Sequence, residues 1–258
     1  MTKQTNVGEK DFFDDLAKGF RKAADIVRME KPDVILCPVA GSVPFVDILN
    51  ILDRKFRLGA VEYVPNSSRF ENREELMARW YESFYGSRDV GEQLKILCLD
   101  EVLSGASAVV GFRQFQKSLE ERARKKAKGL TDESAAIEKY KRKLAKYISY
   151  KVLGLAERGY ERNPEFSRLG NRGLAHVIEF DSIPTIDNVL MNPIRFKVGR
   201  VQENGKAIYL PEIERFDITP EYMELLRGIA RYAGVDPSTV NPVNLSKIQE
   251  GLNRALKL

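Results

Sequence analysis

Two adjacent carboxylates and a following serine–glycine turn form the most chemically informative segment of the sequence. Asp100 and Glu101 follow the apolar run Ile96–Leu99, which predicts a buried strand that carries both acids at its end. The turn opens a predicted helix, and the free amides of a helix N-terminus bind phosphate. The acids repel a phosphate but accept hydrogen bonds from sugar hydroxyls, so the segment predicts a site for a phosphorylated ribose. The predicted phosphate-binding residues are Ser104, Gly105, Ala106 and Ser107.

The segment Ile96–Ser107 resembles the phosphoribosyl pyrophosphate (PRPP) motif of type I phosphoribosyltransferases. That motif has four apolar residues, two acids and then a Ser/Thr-Gly-x-Ser/Thr loop. The family usually has three residues between the acids and the loop, whereas this sequence has only Val102 and Leu103. Either the loop is one residue shorter, or Asp100 takes the second acidic position and Leu99 the first.

A second glycine turn lies between the predicted strand Val34–Val39 and a helix that begins near Pro44. It resembles the pyrophosphate-binding loop of the same family, in which backbone amides surround the anion. Many family members carry Arg or Lys where this chain has alanine. The resemblance assigns pyrophosphate binding to Ala40, Gly41, Ser42 and Val43.

The polar stretch Pro65–Glu92 occupies the place of the flexible loop that closes over PRPP in this family. Its arginines Arg69, Arg73 and Arg79 are candidates for the positive charge missing at position 40. A surface segment of solvated arginines is the alternative interpretation.

The resemblance implies transfer of a phosphoribosyl group from PRPP to an unidentified small-molecule acceptor, such as a nucleobase, with release of pyrophosphate. Asp100 and Glu101 would then be the catalytic residues. Mg²⁺ would be held mainly by PRPP oxygens and water, with Asp100 as a candidate protein ligand. A protein that senses PRPP or a nucleotide without catalysis is the alternative function.

Predicted strands alternate with predicted helices, which favours an α/β fold with a parallel sheet and helices on both faces. The resemblance implies a phosphoribosyltransferase-like domain over residues 1–211, with a helical insertion at about 117–147. Residues 212–258 are predicted to form a small helical appendage. Asn204-Gly205 predicts a hairpin turn, and Gly234 is predicted to end a helix that begins near Pro220.

Composition narrows the function classes further. The two cysteines, Cys37 and Cys98, lie in apolar runs and are expected to be buried thiols. No apolar run approaches the length of a membrane helix, so we expect a cytoplasmic protein with no membrane partner. The formal net charge is +5, and most of the excess lies in Lys117–Lys151. A nucleic-acid contact there, and a homodimer, stay open as partners. The only histidine, His176, is predicted to be structural.

Overall fold

The computed structural model describes residues 9–39, 41–56, 58–67, 70, 72–86, 93–181, 195–203, 206–215, 220–241 and 245–255. In these ranges helices and strands alternate through most of the chain. The helices are α1 Glu9–Glu30, α2 Val43–Leu52, α3 Arg73–Gly86, α4 Ala106–Ala127, α5 Glu133–Tyr147, α6 Pro164–Asn171, α7 Pro220–Tyr232 and α8 Leu245–Arg254. The strands are β1 Val34–Pro38, β2 Val61–Val64, β3 Leu94–Glu101, β4 Ile148–Glu157, β5 Ala175–Phe180, β6 Arg195–Glu203 and β7 Lys206–Arg215.

Five of the strands form one parallel sheet in the order β2-β1-β3-β4-β5. The central strands are apolar along nearly their whole length because both faces of a parallel sheet are buried. All five residues of β1 are buried, for example. The predicted α/β class with a parallel sheet is therefore confirmed.

Two hydrophobic clusters cover the two faces of this sheet. Side chains of α1, α2 and α7 pack with alternate residues of the strands, such as Leu99 and Leu155, on the first face. Side chains of α3, α4 and α6 pack with the intervening residues, such as Cys98 and Val152, on the second face. The cysteines are free and buried, as predicted.

The C-terminal helices are part of this core, which differs from the predicted appendage over residues 212–258. Tyr222 and Leu226 of α7 are buried in the first-face cluster, as are Ile248 and Leu252 of α8. Helix α8 lies against the outer edge of β2, and a Cβ atom added at Gly251 would lie 2.3 Å from the carbonyl oxygen of Tyr63. The proposed boundary at residue 211 falls inside β7, because that strand continues to Arg215.

Two helices were not predicted. Helix α3 occupies half of the stretch predicted as a flexible loop, so that prediction is wrong for Arg73–Gly86. The reason is a buried aromatic face, which packs α3 against the sheet; its members are Trp80, Tyr81, Phe84 and Tyr85. Helix α6 begins with the N-cap Asn163, whose side chain accepts a hydrogen bond from the amide of Glu165.

Most of the remaining elements agree with those predicted from the sequence. Strands β6 and β7 form the predicted antiparallel hairpin, although Asn204 and Gly205 lie outside the described residues. Helices α4 and α5 lie between β3 and β4, where a helical insertion over about 117–147 is predicted, and α4 already begins at Ala106. The N-cap of α5 is Asp132 instead of the predicted Thr131. Among the described residues, no helix is both long and apolar enough to cross a bilayer.

Candidate functional site

The topology creates a crevice between the carboxyl ends of β1 and β3. The chain leaves β1 through α2 on the first face of the sheet, and it leaves β3 through α4 on the second face. In open parallel sheets, ligands bind where neighbouring connections diverge in this way. The two loops that the sequence singles out are those that follow β1 and β3. The fold therefore brings both predicted loops to the same edge.

Glu101 and the glycine turn after β1 meet in this crevice. A Cβ atom added at Gly41 would lie 3.5 Å from Glu101 Oε2 and 3.7 Å from its Cβ, so the carboxylate lies directly beside the turn. Both residues are partly exposed. A hydroxyl-bearing ligand in the crevice would reach the Glu101 carboxylate and the backbone of the turn together.

Ser42 differs from its predicted role because its polar groups serve the fold. Its hydroxyl donates to the carbonyl oxygen of Pro38 at 2.7 Å, and its amide donates to the same oxygen at 3.3 Å. The residue is fully buried at the start of α2. Neither donor is available to a pyrophosphate, which leaves Gly41 and Val43 of the predicted loop. Ala40 lies outside the described residues.

Asp100 and Glu101 belong to β3 itself, whereas the predicted strand ended before them. Successive side chains of a strand point to opposite faces. Glu101 therefore shares the Leu99 side and the crevice, and Asp100 shares the Cys98 side beneath α4. The two carboxylates do not form a pair on one surface, which corrects the prediction of a shared sugar-binding site.

Asp100 is an unusual buried acid. The residue is about 5% exposed, and its Oδ2 has no hydrogen-bond partner among the described residues. Burial raises the pKa of this carboxyl well above its ordinary value, and the neighbouring charge of Glu101 raises it further. Asp100 is therefore disposed to carry a proton, and Glu101 is the acid that faces the crevice.

The turn from β3 into α4 has a conformation that only glycine adopts without strain. Gly105 has φ = +82°, and a Cβ atom there would lie 2.4 Å from Cγ of Phe166 in α6. The turn is tied to the same region through the amide of Asn163, which donates to the carbonyl oxygen of Ser104 at 2.8 Å. Thus α6 holds the glycine turn in place at the N-terminus of α4.

The first turn of α4 collects donors from two other elements. Arg73 at the start of α3 reaches the Ser107 hydroxyl, with Nη1 3.5 Å from Oγ. Asn66, which follows β2, donates from Nδ2 to the carbonyl oxygen of Ser107 at 3.0 Å. The Ala106 amide donates to Ser104 Oγ, and the next amides of the helix lack acceptors in the helix itself. A guanidinium, a hydroxyl and backbone amides at one helix N-terminus suit an anion.

Several buried polar atoms, on residues that follow β2 or end β3, have no partner among the described residues. They include Oδ1 of Asn66, the side-chain amide of Asn72 and Oδ2 of Asp100. Buried polar groups in native proteins are nearly always satisfied by protein, water or ligand. Asn66 and Asn72 were not predicted from the sequence, because asparagines in a polar stretch give no signal of their own.

The other candidate residues lie elsewhere. Arg79 is six residues along α3 from Arg73 and pairs with Glu75 at 2.8 Å. Arg69 lies outside the described residues. His176 contacts Glu30, with 2.8 Å between Nε2 and Oε1, near the amino ends of β4 and β5 and far along the strands from the crevice. That contact fits its predicted structural role.

The carboxylates meet the chemical requirements of Mg²⁺ only in part. Mg²⁺ in phosphate-transfer sites is held by one or two carboxylates together with substrate oxygens and water. Glu101 offers such an oxygen in the crevice. Asp100 lies on the other side of β3 and is disposed to carry a proton, so it does not fit its predicted role as a Mg²⁺ ligand. No group of three or more metal-ligating side chains occurs among the described residues. Glu101 therefore fits a cation that is held mainly by substrate oxygens and water.

Comparison of the chain with protein-family models, with curated proteins and with solved structures finds no match.

Proposed function

We propose that this chain is a type I phosphoribosyltransferase-like enzyme that binds PRPP at the β1–β3 crevice and transfers its phosphoribosyl group to a small-molecule acceptor. One structural observation gives this proposal its main support. The N-terminus of α4, where Arg73 contacts Ser107, lies at the same sheet edge as the Gly41–Glu101 contact. Phosphate donors beside a hydroxyl-binding carboxylate match a ribose 5-phosphate.

In this proposal the 5-phosphate lies against the first turn of α4. The Ser107 hydroxyl and the Arg73 guanidinium donate to it, and the helix N-terminus adds its amides. Gly41 allows the pyrophosphate to approach the backbone after β1. Glu101 accepts hydrogen bonds from the ribose hydroxyls. The three parts of PRPP then face three different parts of the site.

The reaction would break the bond between ribose C1 and the pyrophosphate oxygen and form a bond from C1 to the acceptor. The bonding electrons leave with pyrophosphate, and the acceptor nitrogen loses its proton to solvent. The transition state resembles an oxocarbenium ion, and the Glu101 carboxylate stabilises its positive charge. A bound Mg²⁺, held by Glu101 and the substrate, would supply charge neutralisation for the leaving group.

The test is release of pyrophosphate from PRPP in the presence of Mg²⁺ and a panel of nucleobases. We expect turnover with at least one base and a loss of about 100-fold or more in Glu101→Gln, because the carboxylate charge acts in the transition state. Glu121→Gln, at an exposed position of α4, is the matched control and should keep full activity. Binding of PRPP without turnover for any base would reject the enzymatic proposal.

A second candidate function, sensing of PRPP or a nucleotide without catalysis, has its own supporting observation. Only one of the two acids faces the crevice, and the Ser42 amide is already bonded to Pro38. Both features weaken stabilisation of a transition state more than they weaken binding of a ground state. In this case PRPP binds tightly and Glu101→Gln changes its affinity while no acceptor reacts.

A further inference from the structure

The positive charge of the chain is concentrated in the helical insertion. Residues 117–151 contain 12 Lys and Arg but only 5 Asp and Glu, an excess of seven, whereas the whole chain has a formal net charge of +5. The rest of the chain is therefore slightly acidic. Such an asymmetry focuses positive potential on one part of the surface.

Ion pairs neutralise only some of these cations. Arg124 pairs with Glu120, Lys125 with Glu82, and Lys141 with Glu138. Six others are exposed and form no ion pair with any residue that the structure describes. They are Lys126 and Lys128 at the end of α4, and Lys139, Arg142, Lys143 and Lys146 in α5.

The four free cations of α5 form one stripe. Lys139, Arg142, Lys143 and Lys146 are spaced i, i+3, i+4 and i+7, which places them on a single face of the helix. The stripe extends over about 10 Å, given a rise of about 1.5 Å per residue. This length corresponds to about three nucleotides of a strand, since successive phosphates rise by about 3.4 Å.

The opposite face of α5 packs against the rest of the protein. Ile137, Tyr140, Leu144 and Tyr147 pack against the second-face cluster of the sheet. None of the large apolar side chains of α5 is exposed, whereas a helix that lies in a bilayer interface needs an exposed apolar face. Tyr140 and Tyr147 are only partly exposed and pack against the cluster, which makes them poor stacking platforms for bases. The exposed face therefore offers mainly charge, which favours a partner that is recognised through its phosphates.

We propose that the basic stripe of α5, with Lys126 and Lys128, binds the phosphodiester backbone of nucleic acid without reading its sequence. This function is separate from the crevice, which lies at the other end of α4. Binding should release counterions and so depend steeply on salt.

The experiment is fluorescence anisotropy of the full chain with a labelled single-stranded RNA of about 20 nucleotides and with a DNA duplex, between about 50 and 200 mM salt. The test variant changes Lys139, Arg142, Lys143 and Lys146 to Glu. We expect wild-type binding to both probes, and loss of four contacts should make the log–log salt slope for RNA shallower by about 3. A second variant with Gln at the four positions removes the contacts without adding repulsion, and its slope should become shallower by the same amount.

The matched control substitutes Glu for four exposed cations outside the insertion, which form no ion pair with described residues. They are Lys18, Lys22, Arg54 and Lys55. It has the same net charge as the Glu variant and should keep the wild-type slope. Circular dichroism checks that each variant is folded. An equal reduction of the salt slope in the control and in the stripe variant would overturn the proposal. So would absence of binding at the lowest salt, or binding only to vesicles that contain anionic lipid.

Discussion

Substitution of Gly105 by alanine tests how the site is built, because two separate effects oppose a side chain there. The backbone has φ = +82°, a left-handed conformation that disfavours a Cβ atom by about 1–2 kcal/mol. The new Cβ would also lie 2.4 Å from Cγ of Phe166, which is buried and cannot move freely. Overpacking of this kind destabilises by about 1–3 kcal/mol. We therefore expect Gly105→Ala to lower the free energy of unfolding by about 2–5 kcal/mol.

Gly129→Ala provides a control for the backbone effect alone. Gly129 has the same φ of +82°, but an added Cβ atom would have no neighbour within 4 Å. This variant should lose only about 1–2 kcal/mol. The difference between the two variants then measures the contact with Phe166.

Urea denaturation followed by tryptophan fluorescence is a suitable assay, because the chain has one tryptophan, Trp80, and it is fully buried. Circular dichroism should give the same midpoint if unfolding is two-state. Equal destabilisation by Gly105→Ala and Gly129→Ala would refute the packing of α6 over the glycine turn.

Three further substitutions test the core and its charges. Because the pKa of Asp100 is raised, its contribution to stability is greatest below its unfolded pKa of about 3.9 and is lost as pH rises through the folded pKa. Asp100→Asn should remove this decline in the free energy of unfolding, measured by denaturation curves at several pH values. The same decline in the variant as in the wild type would contradict the burial of Asp100. Gly251→Ala should destabilise by about 1–3 kcal/mol in urea, because its Cβ would meet the Tyr63 carbonyl; wild-type stability would show that α8 does not lie against β2. Tyr222→Phe removes a hydrogen bond to the buried Asp47 carboxylate and should lower the thermal midpoint, with a loss of about 1–3 kcal/mol; an unchanged midpoint would contradict this.

The sheet could be predicted from the sequence because its strands are short apolar runs with polar ends. Val34–Val39 and Ile96–Leu99 are buried on both sides, so their composition alone distinguishes them from surface segments. The predicted bounds of α1 agree with the structure at both ends, since its apolar residues recur at helical spacing.

Helix α3 illustrates where the prediction from sequence failed. Its first turn carries Glu74 and Glu75, and its aromatic residues recur at helical spacing from Trp80 to Tyr85. These features are typical of a helix, but the arginines and the resemblance to the family's flexible loop favour a loop. Burial of the aromatic face stabilises the helix, and that gain depends on the sheet against which it packs.

For the site, the sequence predicted the order of the loops but not their contacts. Strand alternation alone separates Asp100 from Glu101, once both are known to lie within β3. In contrast, Asn66 and Ser107 are 41 residues apart, and only the fold brings them together. The same holds for Phe166, whose contact with Gly105 depends on how α6 packs.

Calorimetric titration of PRPP with Mg²⁺ into the wild type is the most direct test of whether the start of α4 binds the phosphate of PRPP. Ser107→Ala is the test variant, and Ser134→Ala, at the equivalent second position of α5, is its control. We expect binding to the wild type and to Ser134→Ala, with affinity about 10-fold or more lower in Ser107→Ala, since a hydrogen bond to a charged group contributes about 1.5–3 kcal/mol. Absence of PRPP binding to the folded wild type, or equal affinity in both variants, would rule out a PRPP phosphate site at the start of α4.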